Sequence, residues 1–291
     1  MDEKKRISEY KIRNHLIEYR EANPKFEVSP KDSKWVLKNR KDNLLSVSYN
    51  EELVSFYDDI DKRGLIHTYF QSLKSSQAMA INFFGALSCE QNLFLKVLSE
   101  YDCQINQKEN TTPYFEYIED DEVLGGNPEQ FDKTNFDFVL KTDSTPIFFE
   151  FKYTEKDFGG MNEKDIINHD KKKNLPKKDN YQYKFSALYK GLLENLGVTI
   201  ETFGEFYKDY QIWRNITYTK YGHVFFTFPE YRENLTDAIT NCLYKMSDPF
   251  YKSRVHIMYT DKVAKDLMNN SNKKIAKHFA EFWRKYFGFL D

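Results

Sequence analysis

One apolar segment of seven residues, Ile147 to Tyr153, constrains the fold more than any other part of the sequence. Only Glu150 and Lys152 interrupt it. Side chains two residues apart on a β-strand project from the same face, so these two charges share a face. A strand this apolar is predicted to be buried, where a carboxylate and an ammonium are costly unless they pair or bind a metal ion.

A second apolar segment, Phe136 to Leu140, precedes this strand and is predicted to pair with it as a β-hairpin. The six residues between them include Asp, Ser and Pro, which are typical of a turn. A turn centred in this stretch pairs Leu140 with Ile147 and Asp137 with Glu150. Opposed side chains of an antiparallel pair point the same way, so the two carboxylates repel unless a divalent cation lies between them.

Two carboxylates beside a lysine suit a magnesium site. Mg²⁺ prefers oxygen ligands and is usually held by one or two carboxylates, with waters and phosphate oxygens in the other positions. Lys152 would then orient the attacking water, act on its proton or stabilise negative charge, and the residues leave these roles open. An interpretation without metal also stays open, in which Lys152 neutralises Asp137 and Glu150.

These residues resemble the PD-(D/E)XK nuclease superfamily, which has the restriction-endonuclease-like fold, and most closely a bacterial family of restriction endonucleases. The resemblance covers roughly residues 70 to 260 and rests on four segments: Ser75–Ala78, Phe136–Phe138, Phe149–Glu155 and Tyr210–Asn215. The proline of the superfamily name is absent, since Phe136 precedes Asp137. The resemblance implies a core of a helix, three strands, a helix and a further strand.

The resemblance also implies which residues form the site. Asp137 and Glu150 would bind Mg²⁺, for which Mn²⁺ can substitute, the backbone carbonyl of Phe151 would add a ligand, and Lys152 would be catalytic. Members often carry an acidic residue on the first core helix, where this chain has Gln77. We expect Gln77 to contact a metal-bound water or a phosphate, and a helix-surface amide is the alternative. Two later acidic residues are further candidates for that place: Glu90 and Glu100.

Two groups of residues are predicted to contact nucleic acid. Gln211 and Arg214 lie one turn apart on a predicted helix, and Arg214 suits a phosphate. Lys171, Lys172 and Lys173 follow the catalytic strand, and we expect them to run along a DNA backbone. For both groups, a solvated polar surface is the alternative interpretation.

The chain has 291 residues, of which 40% are hydrophobic, enough for a large packed core. The order of its segments indicates an α/β or α+β fold, with a central mixed sheet flanked by helices on both faces. We expect residues 1–70 to form a mostly helical accessory region and residues 71–291 to form a PD-(D/E)XK nuclease-like domain. Further strands are predicted at 44–49, 103–107, 114–118, 222–228 and 254–260, a loop at 155–178, and helices at 7–20, 51–61, 75–84, 90–100, 181–196, 204–218, 230–246 and 272–287.

Composition excludes several other classes of protein. The net charge of -2 is unlike that of a histone-like protein, although a nuclease needs only a local basic groove. The three cysteines form no C-x-x-C pair, so neither a zinc site nor a disulfide framework is predicted. No segment is typical of a signal peptide or a membrane span, and we expect a cytoplasmic protein.

These features together predict a metal-dependent endonuclease that hydrolyses phosphodiester bonds in double-stranded DNA. The resemblance implies a role in restriction or anti-phage defence, and a homodimer would place one active site on each strand. One alternative is a nuclease of the same fold that acts on single-stranded DNA, branched DNA or RNA. Another is a catalytically silent module that binds nucleic acid. The sequence does not indicate a recognition site.

Overall fold

Five strands form one mixed sheet in the computed structural model of the protein. The structure describes residues 9–29, 34–103, 105–106, 108–118, 135–172 and 180–291. The strands are β1 (Thr111–Ile118), β2 (Asn135–Thr142), β3 (Ile147–Phe151), β4 (His223–Phe228) and β5 (Val255–Tyr259). They lie side by side in chain order. Strand β2 is antiparallel to both of its neighbours, β1 and β3, and β4 and β5 are parallel to β3.

Helices precede the sheet, connect its parallel strands and follow it. They are α1 (Glu9–Glu21), α2 (Asn50–Lys62), α3 (Ser76–Ser88), α4 (Gln91–Ser99), α5 (Glu163–Lys172), α6 (Tyr181–Lys184), α7 (Lys190–Glu194), α8 (Phe203–Lys208), α9 (Tyr210–Ile216), α10 (Glu233–Tyr244), α11 (Pro249–Lys252), α12 (Thr260–Asn270) and α13 (Lys273–Tyr286). A π-helical segment, Phe185–Tyr189, joins α6 to α7. No helix among the described residues is both long enough and apolar enough to span a bilayer.

Alternation along the strands divides the core between the two faces of the sheet. On one face, Phe149 lies between Phe138 and Phe225, with ring centroids 5.4 and 5.0 Å away, and α1 to α4, α12 and α13 cover these rings. On the other face, Phe148 and Phe226 pack under α5 and the helices from α8 to α10. Each layer buries the apolar side of a helix against a sheet that is apolar on both sides. The predicted fold class, a mixed sheet with helices on both faces, is therefore confirmed.

The β2–β3 hairpin has the predicted register. Leu140 pairs with Ile147, and Val139 pairs with Phe148. All five residues of β3 are buried, because β2 and β4 flank this strand and helices cover both of its faces. The hairpin therefore fixes the place of Glu150 inside the core, as the sequence indicated.

The first seventy residues contribute to the same apolar core as the sheet. Ile12 and Leu16 of α1 and Leu53 of α2 are buried in the cluster that contains Phe149. Segments from this region thus pack against the nuclease-like part of the chain. A boundary at residue 70 stays a prediction.

Several local predictions were wrong. Residues 44–49 form no strand, because Leu44 and Leu45 are buried in an irregular segment whose Leu45 amide donates to Asn82. Gly85 does not end its helix, since α3 continues to Ser88, and the missing side chain lets Leu53 approach closely. The segment 155–178, predicted as a loop, contains α5.

Two further predictions from the sequence concern the segments 103–107 and 125–128. The described residues of 103–107 form no strand. The sequence Gly125-Gly126-Asn127-Pro128 predicts a loop, and these residues lie outside the described part of the chain.

Candidate active site

The β2–β3 hairpin brings Asp137, Glu150 and Lys152 together. The backbone N–H of Phe151 donates to Oδ2 of Asp137 at 2.6 Å, so the Asp137 carboxylate lies across the hairpin, next to Glu150. Nζ of Lys152 donates to Oε1 of Glu150 at 2.5 Å. Lys152 follows the last residue of β3, and its backbone N–H donates to Thr227 of β4 at 2.9 Å. The three predicted residues therefore lie at one end of the strand pair.

Burial and mutual charge shift the pKa values of these groups in different directions. Burial, together with the charge of Glu150, raises the pKa of Asp137 well above its ordinary value. Burial alone would also raise the pKa of Glu150, but the charge and hydrogen bond of Lys152 bring it below its ordinary value. Burial opposes the ammonium of Lys152, yet Glu150, Asp137 and Glu155 raise its pKa. Lys152 is therefore a cation, paired first with Glu150.

A third carboxylate, Glu116, belongs to the site and was missed by the sequence analysis. The register of β1 against β2 pairs Phe115 with Phe138 and Tyr117 with Phe136, which sets Glu116 opposite Asp137. Glu116 is only 1% exposed, and burial raises its pKa, with Glu150 adding to that shift. We refer to Glu116, Asp137, Glu150 and Lys152 as the carboxylate cluster. Its sequence signal was one charged residue interrupting the apolar segment Tyr114–Ile118.

The backbone at Glu116 has an unusual conformation that neighbouring groups hold in place. Its φ of 47° lies in the left-handed region, which a residue other than glycine rarely adopts. Arg63 donates to the backbone carbonyls of Glu116 and Phe115 at 3.1 and 2.7 Å. Such conformations persist where the surroundings enforce them and are frequent at functional sites.

Gln77 holds Glu116 in place instead of lying on a helix surface. It is 3% exposed, and its Nε2 donates to Oε1 of Glu116 at 2.7 Å and to the carbonyl of Leu65 at 3.0 Å. Its Oε1 accepts the backbone N–H of His67 at 2.9 Å. Within the described part of the chain, these bonds connect Gln77 to the site through Glu116 and not directly to Asp137. The alternative of a surface amide was wrong.

Asn135 and His67 lie beside the carboxylate of Glu116. Nδ2 of Asn135 donates to Oε2 of Glu116 at 2.6 Å, and Nε2 of His67 lies 3.8 Å from that oxygen. An open cleft of about 520 Å³ is lined by Glu116, Asn135 and residues 64–69. The carboxylate cluster thus borders a concave surface. Glu90, another candidate for this place, instead accepts a hydrogen bond from Tyr49 at 2.6 Å.

Helix α9 contributes two residues that act on Glu150. Nδ2 of Asn215, a fully buried side chain, donates to Oε2 of Glu150 at 2.9 Å. The charge of Arg214 helps to lower the pKa of Glu150, and its guanidinium lies 5.3 Å from the ring of Tyr210. Asn215 was also missed, although it ends the segment Tyr210–Asn215 that carries part of the resemblance.

The other residues predicted to contact nucleic acid lie further away. The side chain of Gln211 lies beside Gly159, in the loop after β3, whereas Arg214 of the same helix acts on Glu150. Lys171 is exposed near the end of α5, and Lys172 is the last residue of that helix. Lys173 lies outside the described residues. A role of these lysines in DNA binding stays a prediction.

Comparison with known proteins identifies a family for the chain. Residues 8–287 match the family described as "Restriction Endonuclease associating with ARP". No curated protein and no solved structure matches the chain. The match spans nearly the whole chain, including all three strands of the carboxylate cluster and α9. The protein is therefore a member of this restriction-endonuclease family.

Proposed function

We propose that the protein is a Mg²⁺-dependent endonuclease that hydrolyses phosphodiester bonds in double-stranded DNA as part of restriction or anti-phage defence. The observation that carries the proposal is the convergence of charged side chains from three adjacent strands. Asp137 accepts the backbone N–H of Phe151, the charges of Glu150, Lys152 and Glu116 all act on its carboxyl group, and Nζ of Lys152 donates to Glu150. Membership of a restriction-endonuclease family supports the same activity.

The donor set fits the proposed cation. Carboxylates are the hard oxygen ligands that Mg²⁺ prefers, and Asp137 and Glu150 would hold it, with the carbonyl of Phe151 as a further ligand. The pKa of Asp137 is raised because burial and Glu150 oppose a second negative charge, and a cation relieves that opposition. When bound, Mg²⁺ supplies Lewis-acid chemistry, by which it polarises a phosphate oxygen and lowers the pKa of a water. Mn²⁺ would substitute for it.

The side chains of the site then have separate tasks. Lys152, whose raised pKa keeps it protonated, stabilises the negative charge that develops on the phosphate and orients the attacking water. Asn215 fixes the orientation of Glu150 through its 2.9 Å hydrogen bond. Arg214 supplies positive charge for a backbone phosphate. Gln77 keeps Glu116 oriented beside Asp137.

The proposed partners follow from the same activity. Double-stranded DNA would lie over the cleft beside Glu116, with Lys171, Lys172, Lys173 and Gln211 near its backbone. A homodimer would bring one carboxylate cluster to each strand of the duplex. A restriction role places the protein in the cytoplasm, where the DNA is, and the family description suggests ARP as an associating partner.

Cleavage assays with matched variants test the proposal. Purified protein is incubated with supercoiled plasmid, single-stranded DNA, branched DNA and RNA, in Mg²⁺, Mn²⁺ or EDTA. We expect the plasmid to be cut only with a divalent ion, by the wild type and by Asp266→Asn, which changes an exposed aspartate of α12. Asp137→Asn should not cut but should still bind DNA. If the wild type bound DNA without cleaving it in both metals, the proposal would be contradicted. If it preferentially cleaved another substrate, that substrate would replace double-stranded DNA in the proposal.

A further inference from the structure

A second group of metal-ligating side chains lies away from the carboxylate cluster. Cys103 follows α4, His223 begins β4 and His256 lies on β5. One ligand atom from each of these side chains lies within 4.8 Å of the other two. We refer to these three residues as the cysteine–histidine cluster.

Three atoms that can bind a metal ion lie close together in this cluster. Nε2 of His256 lies 2.9 Å from Nδ1 of His223 and 3.5 Å from Sγ of Cys103. A ring nitrogen of neutral histidine has either one N–H or one lone pair, depending on the tautomer. When the proton of each ring lies on its other nitrogen, Nε2 of His256, Nδ1 of His223 and the sulfur all have lone pairs available to one metal ion.

The surrounding residues hold the imidazole of His256 in this orientation. Its ring stacks on Phe225 with centroids 4.5 Å apart, and the ring of Tyr101 lies nearly perpendicular to it with centroids 6.5 Å apart. Cys103 is 4% exposed and forms part of the apolar core on the same face as Phe225, and both histidines are partly buried. Donors that are already oriented lose little entropy when they bind an ion, which favours a preformed site.

We propose that Cys103, His223 and His256 bind a zinc ion. Zn²⁺ is held by thiolate sulfur and imidazole nitrogen, at about 2.3 and 2.0–2.1 Å, so the edges of its tetrahedron measure about 3.3–3.6 Å. The separation of 3.5 Å between sulfur and nitrogen equals such an edge, and the separation of 2.9 Å between the nitrogens needs only a small outward shift. The donor set is too soft for Mg²⁺, which prefers oxygen.

The site would connect three distant parts of the chain and stabilise the fold. It joins the segment after α4 to the beginning of β4 and to β5, which are otherwise linked through the sheet and its apolar face. His223 pairs with Ile147, three residues before Glu150, so a zinc ion bound here would lie about 10 Å from the carboxylate cluster along the strand. The three ligands come from segments that are distant in the sequence. We therefore assign the ion a structural role that is separate from hydrolysis.

Metal analysis of the purified full chain tests this site. Zinc is measured by mass spectrometry after dialysis against a weak chelator, and Co²⁺ is added to the apoprotein as a spectroscopic probe. The variants are Cys103→Ser, His256→Gln and the matched control Cys242→Ser, which changes a buried thiol in the core of the other face. We expect stoichiometric zinc and a thiolate-to-cobalt absorption band in the wild type and in Cys242→Ser. In the other two variants, zinc affinity should fall by more than about 100-fold.

The wild-type spectrum keeps the test decisive if a variant does not fold. Absence of the thiolate-to-cobalt band from the folded wild type would overturn the zinc site, whatever the variants do. Persistence of the band and of stoichiometric zinc in Cys103→Ser would also overturn it. Failure of DNA cleavage leaves both results unchanged, so the two proposals are tested separately.

Discussion

The carboxylate cluster and the cysteine–histidine cluster lie towards opposite edges of the same sheet, on different strands, and offer different donors. The first has three carboxylates and a lysine, on the side where β3 ends. The second has one sulfur and two imidazole nitrogens, at the beginning of β4. Hard oxygen donors select ions such as Mg²⁺, and soft donors select ions such as Zn²⁺. Under the two proposals, one sheet would hold a labile ion that meets substrate at one place and an ion that joins distant segments at another.

The difference also concerns sequence distance. Glu150 and Lys152 are two residues apart, and Asp137 lies one hairpin away, so their proximity follows from strand geometry. Cys103 lies far along the chain from the two histidines, and only the assembled sheet brings them together. The proposed catalytic residues on β2 and β3 depend on local pairing, whereas the proposed zinc site depends on the completed fold.

Removing a member of the carboxylate cluster should have the largest effect on cleavage. We expect Asp137→Ala and Lys152→Ala each to reduce the rate of plasmid cleavage by at least about 10³-fold, since each removes a group that acts on the metal or on the developing charge. Both should retain stoichiometric zinc. A single-turnover assay with metal analysis measures both quantities. Cleavage within tenfold of the wild type in either variant would remove that residue from the catalytic site.

Removing the residue that orients Glu150 should have a smaller effect. Asn215→Ala takes away the hydrogen bond to Oε2 of Glu150, and loss of such a supporting contact typically costs about 10–100-fold in metal affinity or activity. We expect a higher Mg²⁺ concentration for half-maximal cleavage, with partial recovery at saturating Mg²⁺. Asn195→Ala, at an exposed asparagine, is the control. An unchanged Mg²⁺ dependence would mean that Asn215 serves packing only.

The shifted pKa of Asp137 predicts how stability depends on pH. In the unfolded chain, this carboxyl ionises near 3.8, but in the folded chain its pKa is raised well above that. Between these two values, the folded state holds a proton that the unfolded state has lost, so stability decreases as pH rises. In EDTA at pH 8, Asp137→Asn should therefore have a higher Tm than the wild type, by about 2–4 °C for each kcal/mol. The difference should vanish toward pH 4.

Added Mg²⁺ sharpens the same measurement. At a tenfold excess over Kd, it should stabilise the wild type at pH 8 by about 1.4 kcal/mol and thereby raise its Tm. The Tm of Asp137→Asn should stay nearly unchanged. EDTA also removes zinc, so it should lower the Tm of both proteins equally relative to buffer without chelator, because the cysteine–histidine cluster is intact in both. Equal Tm values of the wild type and the variant in EDTA across this pH range would show that burial and the charge of Glu150 do not disfavour the ionised form of Asp137.

Sequence reasoning reached the parts of the site that neighbouring strands determine. The apolar hairpin predicted the register that pairs Leu140 with Ile147, and the alternation in β3 placed Glu150 and Lys152. It missed Glu116, because a single acidic residue in an apolar strand has no assigned partner until β1 pairs with β2. Asn215 was not predicted for a related reason, since only tertiary packing brings α9 to Glu150.

The fold showed the same division between local and distant interactions. Long periodic segments such as α2 and α13 were predicted because their own patterns specify a helix. The short helix α5 was missed, because its sequence is mostly polar, with Ile166 and Ile167 as its only apolar residues. The prediction of a strand at 44–49 was wrong because its buried leucines lie in an irregular segment, where the Leu45 amide donates to Asn82.

The smallest expected effect concerns the lysines after β3, and it separates contact with DNA from chemistry. Each lysine that neutralises a phosphate releases bound counterions, so log Kd for DNA depends on log salt concentration with a slope that grows by roughly one per contact. Replacing Lys171, Lys172 and Lys173 by alanine should weaken DNA binding at low salt and reduce that slope by up to about three. The single-turnover rate at saturating DNA should stay within about twofold of the wild type, because no carboxylate is altered. An unchanged slope would assign these lysines to a solvated surface, and Arg214 would then be the principal phosphate contact.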